Sequence, residues 1–377
     1  MKVALRYLRI ALLAIGVIGL VALAGILLSL TLPVQVWRTG QVPTVSIPVE
    51  PAQPFSSSPT RVWIDTDAAC GHGPRVDPDD CLAILLLARQ ESVDIVGIST
   101  VFGNAPLDET HRTTNVLADQ LRTDERLSVP LYRGSSMPLI HDTSLGAAPG
   151  ADAHEFLREA LQREPLTLVA LGPLTNIALA LQNHPGLQAN VVRLVTVMGR
   201  RRGHVFHPVE GGTAGSFFGH GPVFRDFNFA ADEEAAVAVM GMKLPMTLVP
   251  YQAARRIMLD TPVLDKMKNS GGAAAWVAER AGSWLSYWRK DIGRDGFYPF
   301  DLVAAAYVAE PSLLGCAEVM IAVENDTWLL GWFGFRGLFA LSNEESVSHP
   351  FVTRSALYCP EASQDLGPWL IHQLTGS

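Results

Sequence analysis

From residue 61 onward the chain alternates short apolar runs with longer stretches whose apolar residues recur at helical spacing. "RVWID", "VDIVGIST", "VPLYRG", "LTLVAL", "VVRLVTVMG" and "MTLVP" read as strands. Between them, "DDCLAILLLARQ", "DETHRTTNVLADQLR", "PLTNIALALQN" and "DEEAAVAVMG" read as helices, the second from Val116, Leu117 and Leu121. Strands that alternate with helices predict an α/β fold, with a mainly parallel central sheet flanked by helices. Gly203–Gly221 has no period and reads as a loop or flap, whereas "SGGAAAWVAERAGSWLSYWRK" is helical. After Pro311 strand-like and loop-like pieces follow with no role that the pattern assigns.

The N-terminal pattern differs. Ile10–Leu32 is uncharged and almost wholly apolar, long enough to cross a hydrocarbon core of about 30 Å as a helix. Lys2, Arg6 and Arg9 precede it. That charge bias predicts a cytoplasmic N-terminus over residues 1–9, a membrane anchor over 10–32 and the remaining chain on the extracytoplasmic side, periplasmic in a bacterium. A cleaved signal peptide is the alternative, although its apolar core is usually about 7–15 residues. Pro33–Thr60 holds six prolines and a serine run, and reads as an extended tether over 33–60. The folded domain is then expected over 61–377.

Composition narrows the partners. The chain of 377 residues is ample for a sizeable core, and its formal charge is −8. Arg200–Arg202 is the only dense basic run, so no long positive stripe is available for nucleic acid. Cys70, Cys81, Cys316 and Cys359 show no paired spacing. No zinc signature and no disulfide framework is expected from them, with a single bridge left open.

The densest chemistry lies in "IDTDAACGHGPRVDPDDCLAILLLA", Ile64–Ala88, with aspartates at 65, 67, 77, 79 and 80. In parallel sheets the ligand sits outside the carboxyl ends of the strands. Asp65 and Asp67 stand where the first strand ends, and Asp79 and Asp80 where the next helix begins. Helix capping accounts for one or two of the five. Carboxylates gathered at one strand end repel unless a cation is present, and oxygen ligands favour Ca²⁺ or Mg²⁺ over zinc. From spacing alone, a metal site and an acidic surface loop both stand.

This stretch resembles the inosine–uridine preferring nucleoside hydrolase family, whose signature is Asp-x-Asp-Pro-Gly-x-Asp-Asp after the first strand. "DTD" and "DD" match, while "AACGHGPRVDP" replaces the short Pro-Gly link. "TVFGNAPLDET", "LVALGPLTNIALAL", "VTVMG", "DFNFAADEEAA" and "FDLVAAAYVAEP" are similar to further family segments in the right order, over about residues 61 to 311. The resemblance implies Ca²⁺-dependent hydrolysis of the N-glycosidic bond of a ribonucleoside substrate, and a homo-oligomer whose interface the sequence does not identify. It implies Asp67 as general base and metal ligand, with Asp80, Asp301 and the Leu171 carbonyl as further ligands. Asp79, Asn104, Asp226 and Asn228 would hold the ribose hydroxyls, and Met198 would line the sugar floor. Asp226 stands in for a glutamate. Read alone, Asn104 after Gly103 is an ordinary turn pair, Met198 is core, Asp301 is a helix cap, and Thr175–Asn176 is a structural helix start.

The family's histidine before the last aspartate, which helps the departing base accept a proton, is Phe300 here. Tyr298, His72 and the histidines at 204, 207 and 220 are the substitutes that the sequence offers. Tyr251, Trp284, Trp288, Phe297 and Tyr298 are candidate base stackers, with Arg255 and Arg256 nearby. A hydrolase of another ribosyl compound and a membrane-tethered, non-catalytic ribosyl-ligand or ion binder are the alternative functions. The presence of Asp67, Asp80 and Asp301 together favours catalysis.

Overall fold

The computed structural model describes residues 13–25, 47–55, 59–125, 127–139, 152–201, 226–328, 333–343, 345, 347 and 350–376. The strands are β1 (Glu50–Pro51), β2 (Thr60–Thr66), β3 (Val93–Thr100), β4 (Leu131–Arg133), β5 (Leu166–Ala170), β6 (Val191–Thr196), β7 (Arg200–Arg201), β8 (Met246–Leu248), β9 (Leu259–Asp260), β10 (Gly296–Phe297), β11 (Leu314–Trp328), β12 (Phe333–Leu341) and β13 (Val352–Ala362). The helices are α1 (13–25), α2 (Asp79–Ala88), α3 (Leu107–Asp124), α4 (Ala153–Arg163), α5 (Thr175–Leu181), α6 (Phe227–Ala231), α7 (Glu233–Met240), α8 (Tyr251–Ala254), α9 (Thr261–Ser270), α10 (Gly272–Tyr287), α11 (Phe300–Ala309) and α12 (Leu366–Thr375).

The main sheet runs β4-β3-β2-β5-β6-β8-β13-β11-β12-β7. Its half from β4 to β13 is parallel. β5 is buried on both faces along its whole length, and β2 likewise apart from Arg61, as in a parallel sheet covered on both sides. α2 and α11 are apolar all round and buried almost end to end, and they pack on each other. α3 is amphipathic and buries only its Leu107, Leu117, Leu121 and threonine side. Register aligns the strand ends: Thr66 sits beside Thr100, Asp65 beside Ala170, and Ala170 beside Thr196. The segments that follow β2, β3, β5 and β6 therefore leave the sheet at one edge.

Two expectations are corrected, and one unassigned stretch gains a role. The stretch after Pro311 is an antiparallel addition: β11 pairs with β12 and β13, and β13 joins β8 in parallel. The domain does not begin at Arg61, because β1 pairs with β11, Ala52 is buried and Phe55 packs edge-on against Tyr307. The four cysteines form two disulfides, Cys70–Cys81 and Cys316–Cys359. Sequence spacing carries no information about which chain segments the fold brings together, so neither bridge was legible.

Of the apolar N-terminal run, α1 covers residues 13–25, and residues 10–12 and 26–32 lie outside the described ones. No helix among the described residues is long and apolar enough to cross a membrane.

Candidate active site

The aligned strand ends bring the acidic stretch to the sheet's carboxyl edge, as the general rule for parallel sheets requires. Asp67 follows β2 and is buried. Its Oδ2 accepts the backbone N–H of Asn104 at 2.7 Å, and the Asn104 Nδ2 lies 3.4 Å from its Oδ1. The same Nδ2 donates to Asp80 Oδ2 at 3.0 Å, so one amide ties the first-strand aspartate to the helix aspartate. Gly103 is required beside them: its φ is +156°, and a Cβ there would collide with the Asp67 carboxylate.

Asp79 and Asp80 occupy the first turn of α2, and Asp301 the first turn of α11. One carboxylate oxygen of each lies within 4.8 Å of the others. The Asp79 Oδ2 accepts the Asp301 N–H at 2.9 Å, and the Thr66 hydroxyl donates to Asp80 Oδ1. Two helix N-termini, each with a partial positive charge, thus converge on three carboxylates. Asp77 adds another buried carboxylate, whose Oδ1 accepts the Asp79 N–H at 3.2 Å.

The electrostatics follow from this crowding. Burial, and then the Asp80 charge, push the Asp67 carboxyl well above the usual carboxylate range. Asp301 is raised by burial and then by Asp79 and Asp80. Asp80 itself is pushed up to about 6, by burial first and by Asp79 second. Mutually repelling buried carboxylates of this kind fit a divalent cation with a preference for oxygen donors, and the set contains no cysteine or histidine that would favour zinc.

An open cleft of about 660 Å³, adjoining solvent included, lies beside the cluster. Asp77, Asp79, Asp301 and Asn104 form one wall, and Met198, Asp226 and Asn228 another. Asp226 caps α6, taking the Phe229 N–H at 3.3 Å and the Gly199 N–H, and desolvation pushes it up to about 6. Asn228 donates to the Leu171 carbonyl at 2.6 Å and to the Val197 carbonyl at 3.2 Å. The residues singled out as ligand or substrate contacts are therefore gathered within the cleft or directly behind it.

Others are placed elsewhere. His72 is exposed at the loop tip and pairs with Glu109 at 3.3 Å. Tyr298 is buried edge-on against Trp288 and does not line the cleft. Trp284, Trp288 and Phe297 are fully buried core, so of the expected stackers only Tyr251 lines the cleft. His204, His207 and His220 lie outside the described residues. Asn176 is structural: it donates to Asp65 Oδ1 at 2.7 Å and to the Thr100 carbonyl at 3.1 Å. Sequence reasoning missed Arg200 and Phe227 as cleft residues and gave Asp77 no role, while Phe300, read as standing where the family has its histidine, does line the cleft. Adjacency was the available signal, since each lies within two positions of a residue that was singled out.

The family model described as inosine-uridine preferring nucleoside hydrolase matches residues 62–333. The non-specific ribonucleoside hydrolase RihC of Klebsiella pneumoniae subsp. pneumoniae is 29% identical over 292 residues, 72% of this chain and 86% of the relative. The plant nucleoside hydrolase PpNRh1 superposes with a TM-score of 0.66 at 18% identity, over 85% of this chain and 100% of its own. A purine-preferring ribonucleoside hydrolase from Gardnerella vaginalis gives a TM-score of 0.59 at 17% identity, over 84% and 97% of the two chains. At these identities the solved structures establish a shared fold.

Proposed function

The chain belongs to the inosine-uridine preferring nucleoside hydrolase family, and from that premise we propose that it hydrolyses the N-glycosidic bond of ribonucleosides with a calcium ion held by its buried carboxylates. One observation carries the reading: Asp79, Asp80 and Asp301 converge beside a cleft, and Asn104 links Asp80 to Asp67.

Asp67, Asp80, Asp301 and the Leu171 carbonyl would hold the ion, with Asp79 near enough to join; bound calcium supplies a more acidic and oriented water and a grip on the ribose diol. Asp67 would serve as the general base toward the attacking water. The Asn104 N–H fixes one of its oxygens, which orients the carboxylate for that role. Asp79, Asn104, Asp226 and Asn228 hold sugar hydroxyls, and Met198 forms the floor of the sugar site. The leaving base faces Phe227, Tyr251 and Phe300, which offer stacking area. Phe300 donates no proton, which favours substrates whose base departs without one.

The experiment is a reducing-sugar assay of the protein with and without calcium across inosine, uridine, adenosine, cytidine and nicotinamide riboside. Product that appears only with calcium supports the reading, and no product from any of the five rejects it. We place the domain outside the cytoplasm. Support comes from the positive residues before Ile10 and from two buried disulfides, which persist in oxidising compartments. A reporter fused after Ser377 that is active in the cytoplasm would overturn this placement.

A further inference from the structure

We propose that the Cys70–Cys81 disulfide is a positioning device for the calcium site, replacing with a covalent bond the closeness that a short strand-to-helix link would impose. The inference rests on the calcium reading above. The connection from β2 to α2 spans residues 67–78 without regular structure. Such links usually take about 2–6 residues, and each added residue widens the range of end-to-end distances the loop can adopt. Here that loop begins with Asp67 and ends at Asp79 and Asp80. The link itself does not set the register of these aspartates; the Thr66 hydroxyl on Asp80 and the Asn104 bridge between Asp67 and Asp80 contribute to it, and the disulfide adds a covalent constraint.

The bridge removes that freedom where it matters. Cys70 is the third residue after Asp67, and Cys81 directly follows Asp80. The pair is 11 positions apart with Cα atoms 6.4 Å from each other, and both residues are buried. Asp77 lies inside the closed ring, which carries it into the cleft wall and onto the Asp79 N–H. The loop tip makes non-covalent contacts, among them the His72–Glu109 pair. Ser283 Oγ donates to the Gly73 carbonyl at 3.3 Å, and Arg75 lies over the Tyr287 ring at 5.2 Å. The disulfide is the buried covalent link across this loop.

The second disulfide is an internal control. Cys316 and Cys359 join β11 and β13, strands already paired in the sheet, and neither lines the cleft. Calorimetric titration of calcium chloride into the metal-free full chain separates the two roles. The double variant Cys70→Ser/Cys81→Ser is expected to bind calcium about 10–100-fold more weakly, the range seen when groups that orient metal ligands are removed. Cys316→Ser/Cys359→Ser is expected to lose thermal stability with its calcium affinity unchanged. Unchanged affinity in the first variant overturns the proposal, as does an equal loss in both. Absence of calcium binding by the wild-type chain rejects the calcium reading itself and the proposal with it.

If the first variant does not fold, the wild-type chain is titrated with dithiothreitol. The reagent supplies two electrons and two protons per bridge opened and becomes a cyclic disulfide. Alkylation and mass spectrometry report which bridge has opened, and terbium luminescence follows the metal site. Terbium affinity that falls with the opening of Cys70–Cys81 supports the proposal. Affinity indifferent to that opening overturns it.

Discussion

The Asp79 carboxylate accepts the backbone N–H of Asp301 at 2.9 Å, joining two positions 222 residues apart. This bond docks the start of α11 on the start of α2 and brings the third carboxylate of the cluster into place. A site assembled from both ends of the domain depends on the completed fold, and its behaviour can be predicted from the charges that it concentrates.

Asp67→Asn keeps the shape and the Asn104 contact but removes the base. The expected outcome is a fall in kcat of about 100- to 10,000-fold at saturating calcium and nucleoside. The ion-free variant should melt no lower than wild type, because one charge leaves a mutually repelling buried set. Steady-state kinetics and a thermal melt check both halves.

Calcium should stabilise the chain strongly. Binding only to the folded state adds about 2.7 kcal/mol at a hundredfold excess over the Kd. Chelation should reverse it, and a melting temperature identical in calcium and in chelator would count against the site. Asp301→Asn should blunt the shift.

Asp226 sets a pH dependence of known sign. Its folded pKa is raised to about 6 by desolvation, partly offset by the Gly199 and Phe229 N–H groups and by Arg200. The folded state therefore binds the proton more tightly than the unfolded chain. The stabilisation is fully present below about pH 4 and is lost as pH rises through about 6. Asp226→Asn should unfold at nearly the same denaturant concentration as wild type at pH 4 and at a higher one at pH 7.5. Equal differences at both pH values would contradict this.

Phe300 lines the cleft directly before Asp301. Phe300→His should raise kcat for nucleosides whose base must be protonated on departure, by about 100-fold where the new imidazole reaches it. It should leave turnover of nicotinamide riboside unchanged, because that base leaves as a neutral molecule. Parallel assays on inosine and nicotinamide riboside give the comparison.

Much of the fold was legible because local patterning decides it. Short, largely apolar runs such as "RVWID" and "LTLVAL", bounded by helical stretches, point to strands buried on both faces and paired in parallel. The strand-end rule placed Asp67 at the site's edge, while Asn104 and Leu171 were singled out only through the family resemblance. The pairing of Cys70 with Cys81, the docking of β1 on β11 and the antiparallel β11–β13 ribbon were not legible, since each is a contact between segments whose own patterns are indifferent to partner.

The sequence by itself determined the element types, the edge at which the site forms and the carboxylate chemistry, because these follow from periodicity, strand polarity and side-chain type. Only the tertiary structure decided which aromatic and polar groups face the cleft. Tyr298, Trp288 and His72 have suitable chemistry, yet packing sends the first two into the core and the third to the surface, while Phe227 and Arg200 turn toward the site. Side-chain direction relative to a distant cleft is set by the sum of long-range contacts, and no local stretch encodes it.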